Sequence, residues 1–265
     1  MLTPRSRRCS LDAITQLVAA SYERTAPGFS ALADRLVYRY LAAPLARVLA
    51  RSDGIVLDVA TGTGALGREL RSCVGVDVAF EQLSRNSLHR LVCADAEHLP
   101  FRSGSFAAAG SAFGINHFPH AATAVAEMAR VAPVVGLLTW ERPERVVYEP
   151  KQAVLDALSA HTGAARTEAG RCVDDMSERV GSEAAIRELL ESAGLSARVE
   201  TVAVEVPWPG TEQYVEFRLA MHGADLTDEQ ADAIRRDACA AIDALDERAW
   251  RWRPRLIRGI GTRGH

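Results

Sequence analysis

The sequence predicts a three-layer α/β domain built around a mostly parallel sheet. Between residues 55 and 140, short apolar segments of strand character alternate with segments of helical periodicity. These strands are apolar on both faces, which is typical of strands buried inside a parallel sheet. The alternation indicates βαβ units, whose right-handed crossovers place a ligand at the carboxyl ends of the strands.

Composition narrows the function classes before any motif is considered. Of the 265 residues, 48% are hydrophobic and 25% charged, which is enough apolar material for a core and excludes a disordered chain. The net charge is −3, so the chain lacks the strongly basic character that is typical of nucleic-acid-binding proteins. We find no apolar run of about 18 residues that could span a membrane, and no secretory signal. We therefore expect a cytoplasmic monomer or homodimer that acts on a small molecule, without nucleic-acid or membrane partners.

Cysteine usage predicts neither disulfides nor a metal centre. The five cysteines are widely spaced, odd in number, and include no C-x-x-C pair. We interpret most of them as reduced, buried small side chains.

The chain is predicted to begin with helices. Residues 11–50 show helical periodicity, with a break expected at the Pro27-Gly28 pair and a stop at Gly54.

The elements that follow are predicted from their apolar patterns. Strands are expected at 55–59, 73–76, 91–94, 106–111 and 134–140, and helices at 65–71, 81–86 and 121–131.

The C-terminal part of the chain, from about residue 144, is predicted to contain two helical inserts and further strands of the sheet. A helix at 182–193 has Ser182 as N-cap and Gly194 as stop, and a strand follows at 197–206. A helix at 227–248, capped by Thr227, and a short strand at 256–260 complete the pattern. We predict one domain, 1–265, with N-terminal helices at 1–52, a cofactor-binding core at 53–143, and substrate-side caps at 144–182 and 208–250.

A glycine-rich segment after the first strand is the strongest local motif. Gly62-x-Gly64-x-x-Gly67 matches a dinucleotide-binding fingerprint, although a tight turn that binds nothing would look the same. Asp58 ends the preceding strand, and its carboxylate would repel a pyrophosphate. A cofactor carrying an ammonium and a sulfonium would tolerate that carboxylate.

Aspartates end three successive predicted strands. Asp58, Asp77 and Asp95 would form a polar arc beside an apolar cleft. A carboxylate at the second strand can accept hydrogen bonds from both ribose hydroxyls, and one at the third can accept from an adenine amino group.

Several motifs in order carry a family resemblance. They are VLDVATGTG (56–64), VGVD (74–77), ADAEHLPFRSGSF (94–106), AFGINHF (112–118) and EMARVAPVVGLLTW (127–140), preceded by SYERTAPGF (21–29). The chain resembles class I S-adenosylmethionine-dependent methyltransferases of the ubiquinone/menaquinone-biosynthesis type (methyltransferase type 11) over about residues 20–143. The resemblance implies a Rossmann-like sheet of seven-strand methyltransferase type, S-adenosyl-L-methionine as cofactor and S-adenosyl-L-homocysteine as product.

The resemblance also implies which residues bind the cofactor. Asp77 would hold the ribose, Asp95 would read the adenine edge, and Tyr22 would reach the methionine carboxylate. The full implied set is Tyr22, Asp58, Ala60, Thr61, Gly62, Gly64, Asp77, Val78, Asp95, Ala96, Ser111 and Ala112.

Three positions depart from the family pattern. Ala60 replaces the usual first glycine of the loop, which requires a negative φ there if alanine is to fit without strain. Ala107 stands where an aspartate is common, and Val134-Val135 replaces a Gly-Gly turn.

The catalytic candidates are histidines. Methyl transfer is a displacement at an already activated sulfonium, so a base is needed only for acceptors of high pKa, such as phenols or alcohols. His117, just past the fourth strand, is the first candidate and His120 the second, although both could be solvent-facing loop histidines.

Aromatic residues further along the chain have two interpretations. Trp140 and Glu141 could line the acceptor side, but core packing explains Trp140 better. An apolar lid or ordinary helix packing would equally explain Trp208, Tyr214, Phe217, Met221 and His222.

The sequence thus favours a methyltransferase acting on a small, largely apolar metabolite by O-, N- or C-methylation. Two alternatives remain open: a non-methylating enzyme on the same fold (a cyclase or decarboxylase), and a nicotinamide-dependent oxidoreductase that uses the glycine motif.

Overall fold

A computed structural model describes residues 12–142, 148–162, 168–207, 210–222 and 226–264. Its strands are β1 (Val56–Val59), β2 (Cys73–Asp77), β3 (Leu91–Cys93), β4 (Ala108–Ala112), β5 (Val134–Trp140), β6 (Ser196–Ala203) and β7 (Arg255–Thr262). They form one seven-stranded sheet in the order β3-β2-β1-β4-β5-β7-β6. All pairs are parallel except those of β7, which runs antiparallel to β5 and β6. The predicted fold class is confirmed.

The strand order reverses between β1 and β4, and this fixes where a ligand can bind. The chain leaves β1 towards β2 on one side and returns through β4 on the other. A crevice therefore opens at the carboxyl ends of these two strands, as expected for a doubly wound sheet.

The described helices are α1 (Ala13–Gly28), α2 (Arg39–Leu49), α3 (Phe80–Leu83), α4 (Ala121–Val131), α5 (Glu149–Thr162), α6 (Glu168–Arg179), α7 (Glu183–Ser192), α8 (Thr211–His222) and α9 (Asp228–Asp243). Single 3₁₀ turns lie at Gly67–Glu69, Ile115–His117 and Glu247–Trp250. None of these helices has the length and apolar character needed to span a bilayer.

The predicted break at Pro27-Gly28 is wrong. The helix continues through Pro27 into a π-helical segment, Phe29–Tyr38, and then into α2. Proline removes one backbone donor, and the wider turns that follow accommodate the irregularity. Glycine at position 28 allows α1 and α8 to approach closely, since a Cβ on it would come 2.5 Å from the Cβ of Ala220 in α8.

Other predicted boundaries shift for local reasons. The helix expected at 65–71 is only the 3₁₀ turn Gly67–Glu69, because the carboxylate of Asp58 takes the backbone N–H of Gly67. The helix expected at 227–248 ends at Asp243. The last strand is longer than expected and lies inside the sheet as β7.

The predicted caps are confirmed where hydrogen bonds define them. Ser182 accepts from the N–H of Ala185, and Thr227 forms a reciprocal capping box with Gln230. Gly194 ends α7 with φ +77°.

Glycines in the central strands let helices pack closely on the sheet. A Cβ on Gly110 or Gly136 would come 2.4 Å or 2.6 Å from a leucine side chain of α2. On the opposite face, a Cβ on Gly259 would come 2.4 Å from Ile186 of α7. Buried side chains of α5, α8 and α9 join the same apolar core as α2. The division of the chain into caps and a core remains a prediction.

Candidate cofactor and acceptor site

A cavity lies at the carboxyl ends of the central strands, beneath α1. Thr15, Val18 and Ala19 of α1 form its cover. The glycine loop, here defined as residues 60–67, forms one wall, and the ends of β2 and β3 form another. This is the crevice that the strand order predicts.

The glycine loop has a left-handed backbone that alanine was not expected to adopt. Ala60 has φ +56°, beside Gly62 at +52° and Gly64 at +96°. The expectation of a negative φ at Ala60 is therefore wrong. The buried carboxylate of Asp58 stabilises the loop by accepting from Thr61 Oγ1 at 2.7 Å and from the N–H of Gly67 at 3.0 Å.

Replacing Ala60 with glycine should relieve backbone strain. A non-glycine residue in this region costs roughly 1–2 kcal/mol, and the added entropy of glycine in the unfolded chain offsets roughly 0.5–1 kcal/mol of the gain. We expect Ala60→Gly to raise the free energy of unfolding by up to about 1 kcal/mol in urea denaturation. The control, Ala126→Gly, changes an exposed residue inside α4 and should destabilise by about 1 kcal/mol. Equal losses of stability in both variants would contradict the proposed backbone strain at Ala60.

Asp77 connects the end of β2 to the glycine loop. Its Oδ2 accepts from the N–H of Gly62 at 2.8 Å, and its Oδ1 accepts from the N–H of Ala79 at 2.9 Å. Burial raises the pKa of this carboxyl above its usual range. Each oxygen retains a second lone pair, so the side chain can also accept from a ligand hydroxyl.

Asp95 occupies the matching position after β3. Its Oδ1 accepts from the N–H of Glu97 at 2.9 Å, and its Oδ2 lies 3.5 Å from His98 Nδ1. Asp95 and Ala96 both line the cavity.

Tyr22 and His117 meet inside the cavity although 95 residues separate them. Tyr22 Oη lies 3.0 Å from His117 Nε2. Burial lowers the pKa of His117 to about 4 and raises that of Tyr22. Both side chains are therefore neutral at pH 7. Among the described residues, the buried Nδ1 of His117 has no hydrogen-bond partner.

The low pKa of His117 predicts a specific pH dependence of stability. Because the folded pKa of about 4 lies below the ordinary 6.5, the unfolded chain binds more protons between these values. Stability should therefore fall as pH drops from 6.5 to 4, by up to about 3 kcal/mol. Urea denaturation of the wild type and of His117→Gln at pH 7, 5.5 and 4.5 checks this. A stability difference between the two that stays constant with pH would contradict a buried neutral histidine.

An aromatic chamber, defined here as Phe29, Tyr38 and Phe113, extends the cavity past Tyr22. Ring centroids are 5.0 Å apart for Phe29 and Tyr38, and 5.5 Å apart for Tyr38 and Phe113. Burial raises the pKa of Tyr38 to about 12, so its hydroxyl stays protonated. The chamber thus offers flat apolar walls to an uncharged ligand.

The structure brings most of the expected residues to the cavity. Those that line it are Tyr22, Ala60, Thr61, Gly62, Asp77, Val78, Asp95, Ala96, Ala112 and His117. Asp58, Gly64 and Ser111 do not line it. Asp58 acts through the loop, since both of its hydrogen bonds are to loop residues.

His120 lies outside the cavity lining. Its Nδ1 is 2.9 Å from Glu97 Oε2, its N–H donates to Glu97 Oε1, and its side chain is 59% exposed. It therefore fits a loop-stabilising contact better than contact with a bound ligand.

The other aromatic candidates belong mainly to packing. Trp140 packs on Phe113 and Trp252, with ring centroids 4.7 and 6.0 Å apart, and Glu141 pairs with Arg255 at 2.6 Å. Tyr214 and Phe217 are buried in the core. Trp208 and the side chain of His222 lie outside the described residues.

Sequence reasoning missed several cavity residues. Gln82, Thr63 and Tyr38 line the cavity, and the buried Thr63 Oγ1 and Gln82 Oε1 have no partner among the described residues. Thr63 lies within the glycine motif but was given no role. No motif contains Gln82 or Tyr38, because their positions depend on how α1, α3 and the π-helical segment pack. The described part of the chain contains no group of three or more histidine, cysteine or acidic residues suited to a metal ion.

The central region of the chain is similar to known methyltransferases. Residues 57–139 match the family model described as a methyltransferase domain. Over 90 residues, 31% of this chain, the protein is 36% identical to a demethylmenaquinone methyltransferase from Corynebacterium urealyticum. It is 30% identical over 131 residues, 43% of this chain, to a ubiquinone/menaquinone biosynthesis C-methyltransferase from Burkholderia mallei. The matched regions span 39% and 53% of those two relatives.

Solved structures share the fold. A putative methyltransferase from an antibiotic biosynthesis pathway of Anabaena variabilis superposes with a TM-score of 0.58 and 16% identity, covering 83% of this chain and 98% of that one. Over its central region, the chain is therefore similar to methyltransferase domains and to methyltransferases of ubiquinone and menaquinone biosynthesis.

Proposed function

We propose that the protein transfers a methyl group from S-adenosylmethionine to a small, largely apolar acceptor. The observation that carries the proposal is the continuity of one cavity. Its polar end holds Asp77 and Asp95, its other end is the aromatic chamber, and Tyr22 and His117 stand between them. A cofactor and an apolar acceptor need this arrangement of one polar and one apolar compartment.

The residues present fit the proposed cofactor. Asp77 would accept from the ribose hydroxyls, Asp95 and the backbone of Ala96 would meet the adenine edge, and Val78 would pack on the ring. Buried polar atoms of Thr63 and Gln82 line the cavity without partners among the described residues. Such atoms normally pair with a ligand or water, which supports a polar occupant.

The chain's own contribution to methyl transfer is mainly alignment. When bound, S-adenosylmethionine supplies a methyl group activated on a sulfonium. The aromatic chamber would orient the acceptor, and α1 would exclude water from the reacting centre. Neutral His117 could accept a hydrogen bond or a proton from an acceptor hydroxyl, with Tyr22 fixing its ring.

Calorimetry with separate ligands tests the cofactor. We expect S-adenosylmethionine and S-adenosylhomocysteine to bind, and NAD(H) and NADP(H) not to bind. Asp77 could serve the ribose of either cofactor. The N–H of Gly67, at the end of the glycine loop, already donates to the Asp58 carboxylate, which would repel a pyrophosphate there. Binding of a nicotinamide cofactor, with none of the two S-adenosyl compounds, would overturn the proposal.

Product analysis tests the reaction itself. With a metabolite library and isotope-labelled S-adenosylmethionine, turnover should release one S-adenosylhomocysteine for each labelled product. Conversion of an acceptor without that release would show a non-methylating enzyme on this fold.

A further inference from the structure

Gln82 joins the cofactor cavity to α1. It lies in α3, is 2% exposed, and lines the cavity. Its Nε2 donates to the backbone carbonyl of Tyr22 at 2.9 Å. The side chain therefore touches both the cavity and the helix that covers it.

The chemistry of the Tyr22 contact fixes the orientation of the amide. A backbone carbonyl can only accept a hydrogen bond, so Nε2 must face α1 and Oε1 must face the other way. Oε1 then lies beside the glycine loop, 3.8 Å from where a Cβ on Gly62 would stand. It is buried and has no partner among the described residues.

A buried acceptor without a partner destabilises the site until a ligand or water donates to it. Ribose hydroxyls and the ammonium of S-adenosylmethionine are suitable donors. Because hydrogen bonds through one amide strengthen each other, a donor at Oε1 would strengthen the Nε2 bond to α1.

We propose that Gln82 is a further binding and positioning residue, whose Oε1 accepts from the cofactor and whose Nε2 transmits cofactor occupancy to α1 through the Tyr22 carbonyl. This inference rests on the proposed function. The same helix carries Thr15, Val18 and Ala19 over the cavity, and the Tyr22 hydroxyl reaches His117. Cofactor binding would thereby order the cover and the acceptor side together.

The variant Gln82→Met tests both halves, because methionine has similar length but neither amide group. The neighbouring Glu81→Gln, at an exposed ion pair with Arg85, is the matched control. Calorimetry measures the affinity for S-adenosylhomocysteine, and hydrogen exchange measures the protection of amides 13–28 with and without it. If Gln82→Met does not fold, Gln82→Asn, which keeps an amide on a shorter side chain, replaces it.

We expect S-adenosylhomocysteine to protect α1 in the wild type and in Glu81→Gln. In Gln82→Met its affinity should fall about 10-fold, and the ligand-dependent protection of α1 should disappear. An equal loss with 5′-methylthioadenosine would place the donor on the ribose, whereas a loss confined to S-adenosylhomocysteine would place it on the amino-acid end.

Two results would overturn the inference alone: wild-type affinity in Gln82→Met, or unchanged ligand-dependent protection of α1 in that variant. A wild-type protein that binds no S-adenosyl compound would instead overturn the proposed function, and this inference with it.

Discussion

Asp77→Ala should weaken binding of S-adenosylhomocysteine by about 10- to 100-fold. The carboxylate would make charge-assisted hydrogen bonds to the ribose, worth roughly 1.5–3 kcal/mol, and about 1.4 kcal/mol corresponds to a factor of ten in affinity. Calorimetry measures the loss. Asp53→Ala, an exposed aspartate before β1, is the matched control and should bind like the wild type.

The same substitution should also lower stability, although a strand-end carboxylate alone suggests little packing. Asp77 accepts from Gly62 and Ala79, so alanine leaves two backbone N–H groups without their partner. We expect a loss of about 1–3 kcal/mol in urea denaturation. Wild-type affinity in Asp77→Ala would contradict the ribose role, and wild-type stability would contradict the anchoring of the glycine loop.

His117→Ala should have the opposite profile. Affinity for S-adenosylhomocysteine should stay near that of the wild type, because the proposed ribose and adenine contacts are made by Asp77 and Asp95 and do not involve His117. Methyl transfer to any acceptor that the wild type uses should fall by about 10²-fold or more if His117 takes the acceptor proton. Tyr22→Phe, which removes only the hydroxyl, should give a smaller loss of the same kind.

The dependence on acceptor chemistry separates the possible roles of His117. A general base gives a loss of rate that grows with the pKa of the acceptor hydroxyl, whereas a residue that only shapes the cavity gives a loss independent of it. Equal loss of cofactor affinity in His117→Ala and Asp77→Ala would show that one of them is on the wrong side of the cavity.

The local sequence pattern was sufficient to predict the sheet and the aspartates at the carboxyl ends of its strands. Asp77 and Asp95 follow apolar strands, and parallel strands bring their carboxyl ends to one edge, so both were predictable at the cavity. The capping residues Ser182 and Thr227 were predictable for the same reason, since a cap is specified within one helical turn.

Other features depend on contacts between residues far apart in the sequence, and these could not be predicted from local patterns. The helix continues through Pro27, and Gly28 packs closely on Ala220, almost two hundred residues away in the sequence. His117 and His120 look alike in the sequence, but their partners differ. His117 contacts Tyr22 inside the cavity, whereas His120 contacts Glu97 outside the cavity lining. Ala60 likewise has a left-handed φ, next to Thr61, which donates to the Asp58 carboxylate.

A crystal structure of the protein with S-adenosylhomocysteine tests the central claim most directly. We predict the ligand beneath α1, with its ribose hydroxyls on the Asp77 carboxylate and its adenine against Asp95 and Ala96. Its sulfur should point towards the aromatic chamber and His117. Electron density for the ligand outside this cavity, or a bound ligand whose ribose does not contact Asp77, would contradict the account.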